Sequence, residues 1–449
     1  MSIDSKAEAV NAARSETSAS VAYSRLEKLF DDGTFTEIDT FARSSDSYTE
    51  IRAGRGTVGG KSVFAFAQST DVSGGAMSKA QAAKIKRIYD LALKTGAPVV
   101  AVYDSIGGRI NEGSDLLGAY GDVLKYSGNL SGVVPQISLV LGKCCGTQAL
   151  IAVNADIVVM SENAELTLNT DGSDASAKEN SAHGTAHIVE KNEDSAIEKT
   201  RQLIGLLPSN NLDYAGCPEF EPSDGASDDI IKSVADGGSA VELQSEYGKS
   251  FRTVLATIEG ATVGIVKTEN KILDGKGCSK AARFVRFCDA FGIPVVSFID
   301  AEKFGCIKCA AKLTSAYAEA TSPKITVVTG DAFGAVYIAL AGTGAAADIT
   351  YAWTNASISA LSPEASAIIE LGDDLDGKLK GATDPKAERA KVIAEFKNEY
   401  LSALRAAENG YVQDIILPEE TRIKLMAALD MLSDKRVSTL PKKHNNLYI

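Results

Sequence analysis

Along this chain, apolar β-branched runs alternate with stretches whose apolar positions recur every three to four residues. SVFAFAQST (62–70) and TVGIVKTEN (262–270) read as strands. Each leads into an amphipathic helix, with Ala82, Ile85, Ile88 and Tyr89 on the apolar face of one and Ala282, Val285, Phe287 and Cys288 on that of the other. PQISLVLGKCC (135–145) and PKITVVTGDAF (323–333) are near-continuous apolar strands, the pattern of sheets covered by helices on both faces. The pattern predicts an α/β fold. Ser24 to Phe35 predicts a helix that ends in an Asp-Gly turn. Residues 169–200 and 218–240, rich in Asp, Ser, Asn and Gly, predict surface connections, and polar Gly372 to Glu388 precedes a terminal helical region.

The strands and helices occur twice in the same order. Pro98 pairs with Pro294, Pro135 with Pro323, Gly146 with Gly334 and Asp156 with Asp348, at offsets of 196, 188, 188 and 192 residues. Four landmarks in register, each on the same type of element, predict two copies of one domain. We draw the boundary at 1–235 and 236–449.

Composition narrows the chemistry. The 46 Lys and Arg against 59 Asp and Glu leave a net charge of −13, which argues against nucleic-acid binding and requires a local basic cluster for any phosphate-bearing ligand. Only three histidines occur, His183, His187 and His444, so histidine metal sites and histidine acid–base catalysis are poor expectations, and no metal is predicted. The first 20 residues lack the apolar core of a secretory signal, and no run approaches about 18 apolar residues, so neither export nor a membrane span is predicted. Seven cysteines in such a chain read as reduced thiols of a cytoplasmic protein. Cys306-x-x-Cys309 has no second such pair and reads as two ordinary thiols.

Both copies carry a strand that ends in a small-residue turn and enters a helix: LGKCCGTQAL (141–150) and TGDAFGAVYIAL (329–340). Glycine there admits close approach of a ligand, and the first helical amides are left to stabilise negative charge on an oxygen. The alternative, glycine for helix–strand packing alone, loses ground because the turn recurs at equivalent positions. Gly146, Thr147, Gly334 and Ala335 are therefore candidate oxyanion-stabilising residues. Two more Gly-rich loops follow strands of the first copy. Asp71–Ala76 contains Gly74, Gly75 and Ala76, and Ile106–Gly113 contains Gly107, Gly108 and Arg109, whose guanidinium could meet a phosphate or carboxylate or simply lie in a solvated turn. Gly342-x-Gly344-x-x-Ala347 follows a helix instead of a strand, so it fails as a dinucleotide site. Asp104-Ser105 has no Gly-x-Ser-x-Gly context for a hydrolase triad. The paired carboxylates of a hydratase are also not visible, since Glu112 stands alone in its loop.

With these segments on the page, the chain resembles the carboxyltransferase subunits of biotin-dependent acyl-CoA carboxylases and decarboxylases. The resemblance runs from about Leu26 to the C-terminus and is most specific at LFDDGTFTEID (29–39), SGVVPQISLVLGKCCG (131–146), LLPSNN (206–211), SKAARFVRFCDAFGIPVVSFID (279–300), AYAEATSPKITVVTGDAFGAVY (316–337), ADITYAW (347–353) and KKHNN (442–446). It implies two tandem crotonase-like domains built on ββα units, an N-terminal one on the acyl-CoA side and a C-terminal one on the biotin side, which meet across a dimer. The first oxyanion hole then falls at Gly146 and Thr147 and the second at Gly334 and Ala335. Gly74, Gly75, Ala76, Gly107, Gly108 and Arg109 fall by the CoA and acyl pocket, with Ile338 on its acyl side. The substrate is a CoA thioester, and biotin rides on a separate biotin carboxyl carrier protein, because no Met-Lys-Met attachment sequence is present. Biotin carboxylase or membrane decarboxylase subunits are the further partners implied, with a homo-oligomer that is a dimer or a trimer of dimers. The resemblance also accounts for the scarce histidines, since a basic biotin nitrogen can take the α-proton of the acyl-CoA.

Two departures stand out. The family's Gly-Gly turns read Cys145-Gly146-Thr147 and Phe333-Gly334-Ala335 here. The Gly-rich loop on the biotin side is reduced to AEKFGCIKCAAKL (301–313). In keeping with this, Pro294 to Pro323 spans 29 residues where Pro98 to Pro135 spans 37. With no N-terminal four-cysteine zinc ribbon and both halves fused, the chain does not look like the split, zinc-bearing bacterial acetyl-CoA carboxylase transferase. A non-catalytic paralogue with a degraded biotin site, and a biotin-independent crotonase-type CoA-thioester enzyme, remain the alternatives.

Overall fold

The computed structural model describes residues 3–44, 47–48, 50–169, 175–214, 220–223, 225, 227–380 and 382–438. The KKHNN segment at 442–446, with His444, lies outside them. The chain forms two compact units, Met1–Gly216 and Cys217–Ile449.

The first unit is built on strands β1 (Thr36–Glu37), β2 (Ile51–Val58), β3 (Lys61–Gln68), β4 (Val99–Ser105), β5 (Gln136–Cys145), β6 (Ile157–Ser161), β7 (Glu165–Thr167) and β8 (Ile188–Glu190). They form one sheet in the order β1-β2-β3-β4-β5-β6-β8, with β7 also on β5. β1–β2 and β2–β3 are antiparallel and the later pairs parallel. Its helices include α1 (Val21–Leu29), α2 (Lys79–Thr95), α3 (Asp115–Leu130), α4 (Thr147–Val153) and α5 (Glu193–Leu206), beside the further helices Ile3–Ser18 and Ala177–Ala182. Ala82, Ile85, Ile88 and Tyr89 are all buried, as the helical periodicity predicts. Phe66 stands edge-on to Tyr89 and Tyr103 at 5.9 Å each.

The second unit repeats this plan strand for strand: β9 (Val241–Leu243), β10 (Phe251–Ile258), β11 (Ala261–Thr268), β12 (Val295–Ala301), β13 (Lys324–Phe333), β14 (Ile349–Trp353), β15 (Ser357–Ser359) and β16 (Asp414–Ile416). The order is β9-β10-β11-β12-β13-β14-β16, with β15 on β13. Helices α6 (Ile230–Val234), α7 (Gly275–Ala290), α8 (Ile307–Glu319), α9 (Ala335–Leu340) and α12 (Thr421–Met431) match α1 to α5, while α10 (Pro363–Lys380) and α11 (Pro385–Tyr400) are additional. On α7 the buried aromatic is Phe284, not the expected Phe287. The cause is Gly264 on β11, where a Cβ would sit 2.4 Å from Cys288 Sγ and 3.1 Å from the Phe284 ring, so its bare Cα admits both.

The stretches expected to be surface connections carry structure. Residues 175–200 contain the helix Ala177–Ala182, β8 and much of α5, whose Ala196, Ile197, Thr200, Leu203 and Ile204 are buried behind an Asn192–Ser195 capping box. Residues 230–235 include α6, whose Ile230, Ile231 and Val234, with Ala235, join the second core, so this segment packs with the second unit. The polar Gly372–Glu388 stretch is mostly helical: α10 kinks at Gly372 (φ 42°) and runs on to Lys380, and α11 starts at Pro385.

The duplication extends to charged groups. Arg201 of α5 bonds Leu29 O and Asp31, and Arg422 of α12 bonds Val234 O and Asp236. Each aspartate in turn accepts two backbone amides of a hairpin, Gly59 and Gly60 in one unit, Glu259 and Gly260 in the other. Lys84 in α2 and Lys280 in α7 are buried in both units. Lys84 Nζ reaches Ile51 O (3.3 Å) and Glu37 (3.2 Å), and Lys280 Nζ reaches the carbonyls of Gln244 (2.8 Å), Tyr247 (3.0 Å) and Phe251 (2.9 Å).

Candidate functional site

Both turns are shaped by the same local geometry. Opposite β4, the pairing of β5 shifts register between Tyr103 and Ser105, and opposite β12 that of β13 shifts between Ile299 and Ala301. At each shift an aspartate side chain fills the space of a missing Cβ. A Cβ on Gly142 would lie 2.1 Å from Asp104 Oδ1, and one on Gly330 would lie 2.2 Å from Asp300 Oδ1. The aspartates then accept the next backbone amide, Lys143 N at 3.3 Å and Asp331 N at 2.7 Å. This bends the strand end so that the glycine four residues on caps a helix.

Gly146 (φ 72°, ψ −148°) and Gly334 (φ 47°, ψ −116°) occupy backbone conformations that suit glycine. Their own N–H groups are not the exposed donors: Gly146 donates to Thr167 O (2.9 Å) and Gly334 to Ser359 O (2.8 Å). The next amides, Thr147 and Ala335, have no acceptor among the described residues and open their helices. In each turn the glycine is an anchor and the following N–H is the donor available to an anion.

The two Gly-rich loops of the first unit are zipped to each other and lie beside this turn. Met77 N donates to Gly107 O (2.7 Å), Arg109 N to Met77 O (2.9 Å) and Ile106 N to Gly74 O (3.1 Å). A Cβ on Gly75 would lie 2.2 Å from Asp104 O, and one on Gly107 would lie 3.8 Å from Cys145 O, next to Gly146. The amides of Gly75 and Ala76 serve their own turn, bonding Val72 O and Ser73 O. Gly108 packs its Cα against Leu116. Arg109 is committed within the loops: its guanidinium pairs with fully buried Glu50 and bonds Ser44 Oγ (2.9 Å) and Ser73 Oγ (3.0 Å). It ties the loops together instead of standing free for a phosphate. The exposed cation beside the turn is Lys143, whose side chain lies 3.5 Å from Glu165.

A chain of buried amides, unforeseen from sequence, links the two walls of this site. Gln148, in the first turn of α4, donates to Gln68 Oε1 (2.5 Å); Gln68 donates to Gln81 Oε1 (2.9 Å); Gln81 donates to Gly75 O (3.4 Å). All three side chains are fully buried. The relay ties the start of α4 to the Gly74–Ala76 loop, and Asp104 N also donates to Gln68 Oε1 (3.2 Å). The one sequence signal was a glutamine, Gln68, that breaks the apolar run of β3.

The second turn has a different electrostatic setting. Asp331, at the position of Lys143, is buried between Lys271 (2.7 Å) and Lys397 of α11 (2.6 Å), and Lys271 also pairs with Asp300. Burial pushes the Asp331 carboxyl up, but the two lysines outweigh it and hold it below the usual carboxylate range. Ile338, one turn into α9, is exposed. The 301–313 stretch folds into a short strand, Lys303–Phe304, and the first half of α8, and both pack against α9. The Gly334–Ala335 turn keeps the pattern of Gly146–Thr147, a glycine whose N–H is bonded followed by an amide with no acceptor among the described residues.

Comparison with known proteins agrees with this architecture. Residues 14–447 match the carboxyl transferase domain family. The chain is 35% identical to the methylmalonyl-CoA decarboxylase subunit alpha of Veillonella parvula, over 94% of this chain and 92% of that protein. It is 34% identical to the propionyl-CoA carboxylase beta chain of Saccharopolyspora erythraea, over 94% and 89%. Its fold superposes on a transcarboxylase 12S structure, solved as a hexamer with methylmalonyl-coenzyme A and methylmalonic acid bound, with a TM-score of 0.90 and 30% identity over 100% of this chain and 99% of that one. The protein belongs to the carboxyl transferase family, and its two units are crotonase-like domains.

Proposed function

We propose that this chain is an acyl-CoA carboxyltransferase that moves a carboxyl group between biotin and the α-carbon of a small acyl-CoA, methylmalonyl-/propionyl-CoA or malonyl-/acetyl-CoA. The observation that carries the reading is the duplicated turn: in each unit a pinned glycine presents an unpaired amide, Thr147 or Ala335, at the head of a helix. Taking a proton or carboxyl from the α-carbon of a thioester puts negative charge on the thioester oxygen, and a preorganised N–H aimed at that oxygen stabilises it. Thr147 takes this role, with Gly146 orienting it and exposed Lys143 on the side of an anionic substrate. Ala335 is the matching donor for the ureido oxygen of biotin, which takes up negative charge when the carboxyl leaves the neighbouring nitrogen. Bound biotin would supply the carboxyl-bearing nitrogen and the base. The protein supplies orientation, held by the Arg109–Glu50 clasp and the amide relay.

Biotin belongs, on this reading, to a separate carrier protein, with a biotin carboxylase or a membrane decarboxylase subunit as further partner and the cytoplasm as location. Among the described residues no helix is long and apolar enough to cross a membrane. Ile106, Ile110, Leu117, Leu150 and Leu168, on the loops and helices that follow strands of the first unit, are exposed, and such apolar side chains suit cover by a second copy in a homo-oligomer.

The direct test incubates the purified protein with biotin or a biotinylated carrier and a panel of carboxyacyl-CoAs. Biotin-dependent, avidin-sensitive loss of the carboxyl group from one of them supports the proposal; no such loss from any of them refutes it. The relay has its own expected result. Gln68→Leu should lower kcat about a hundredfold through misplacement of the donor wall, while KM for the acyl-CoA moves much less and the melting temperature shows a folded protein. A rise in KM at unchanged kcat would deny the relay a positioning role.

A further inference from the structure

Cys306 and Cys309, two residues the carboxyl-transfer reading leaves unused, sit together at an exposed corner of the second unit. Cys306 is the N-cap of α8, and its Sγ accepts the N–H of Cys309 at 3.4 Å. A Cβ on Gly275, the first residue of α7, would lie 3.0 Å from Cys309 Sγ and 3.7 Å from Cys306 Sγ, so both sulfurs rest against the same bare Cα. Residues three apart around a helical turn have Cα atoms about 5–6 Å apart, inside the range a disulfide spans. Both thiols are partly exposed, whereas Cys144, Cys278 and Cys288 are fully buried. Among the described residues no group of three or more His, Cys, Asp and Glu side chains is disposed to hold a metal ion.

We propose that Cys306 and Cys309 form a thiol–disulfide exchange site, with Cys306 as the attacking thiol, Cys309 as the resolving thiol and a small disulfide of the glutathione type as reactant. The asymmetry follows from position. The Cys306 thiol is held below its ordinary value by hydrogen bonds from the Cys309 side chain and backbone, with Lys308 adding to the effect. The Cys309 thiol, hydrogen-bonded to Cys306 and burdened by burial, is held above it. In the first step the Cys306 thiolate attacks one sulfur of the disulfide. A Cys306–S–S–R bond forms, the R–S–S–R bond breaks, and one thiolate leaves and takes a proton from water. In the second step Cys309, having given its proton to water, attacks Cys306 Sγ and expels the second thiolate. Two protein thiols are oxidised and one disulfide is reduced to two thiols. The site lies between the strand Lys303–Phe304 and α8, the two elements that pack on α9.

The test uses the reduced full-length protein, oxidised glutathione and peptide mass mapping after alkylation. The expected product is a Cys306–Cys309 disulfide that dithiothreitol reverses, and iodoacetamide should modify Cys306 at least about tenfold faster than Cys145. Cys309→Ser should stop at a glutathione adduct on Cys306, and Cys306→Ser should leave Cys309 unmodified. Serine at position 306 keeps an N-cap oxygen for the same amide, so that variant retains the fold, as circular dichroism would check. The proposal is overturned if both thiols of the folded protein stay alkylatable after glutathione treatment. It is equally overturned if the disulfide joins Cys278, or if Cys309 takes the adduct at the wild-type rate when Cys306 is serine.

Discussion

Replacing Gly146 with alanine should reduce kcat by about 10²–10³ while the protein stays folded and its KM for acyl-CoA changes little. Steric crowding is not the cause, because nothing lies within 4 Å of a Cβ at this position. The cause is conformational. At φ 72°, ψ −148° an L-residue is strained by about 1–3 kcal/mol, and the chain relieves the strain by turning the peptide that carries the Thr147 N–H. Loss of one preorganised donor at an oxyanion costs about 2.7–4 kcal/mol of transition-state stabilisation. The effect falls on kcat because the donor acts on charge that develops after binding. Gly334→Ala should also impair transfer, and there a Cβ additionally meets Ala360 O at 2.9 Å. Steady-state kinetics with a melting curve for each variant checks this; Gly146→Ala with wild-type kcat would remove Thr147 from the mechanism.

The largest stability loss is expected at Lys280, far from either turn in sequence pattern and chemistry. Lys280→Met keeps the stem but takes the ammonium away from the carbonyls of Gln244, Tyr247 and Phe251, of which Gln244 O keeps the Tyr247 N–H at 3.1 Å and the other two lose this donor. Each unsatisfied buried acceptor costs about 1–3 kcal/mol, so the variant should lose about 3–5 kcal/mol, read from denaturant midpoints. The lysine also leaves a signature in pH. Burial pushes its pKa down to about 8, with Glu242 opposing, against 10.5 for a free lysine. The folded state therefore holds fewer protons than the unfolded chain between those values. This group's contribution to stability grows as pH rises from about 8 towards 10.5 and is lost as pH falls back through about 8. Lys280→Met should flatten that part of the stability curve relative to the wild type. An unchanged midpoint, or an unchanged slope over that window, would show that the ammonium is not held as described.

Much of the architecture was readable because it rests on local periodicity. The order of strands and helices, the duplication and both glycine turns follow from apolar spacing and from where glycine interrupts it. What escaped depends on partners distant in the chain. Arg109 looked free beside a glycine loop, yet fully buried Glu50, from a segment just ahead of β2, claims it. Gly146 looked like a donor, but the pairing of β7 with β5 places Thr167 O on its amide. The start of the second copy was hidden by composition: Asp236-Gly-Gly-Ser239 reads as a polar connection until Asp236 is seen to bind Arg422 as Asp31 binds Arg201. Lys84 and Lys280 were legible only by applying the 196-residue offset of the repeat to polar positions as well as to landmarks. The choice of Phe284 over Phe287 turns on Gly264, a strand residue across the core.

The measurement that bears most directly on carboxyl transfer through two paired turns follows the carboxyl group itself. Carboxyacyl-CoA labelled in the transferable carboxyl is mixed with the protein and biotin, and label is counted on biotin and in released carbon dioxide. Label should reach biotin in the wild type, with transfer cut at least about a hundredfold by either Gly146→Ala or Gly334→Ala. Release of label at the same rate with and without biotin, or transfer that neither variant impairs, would contradict the account.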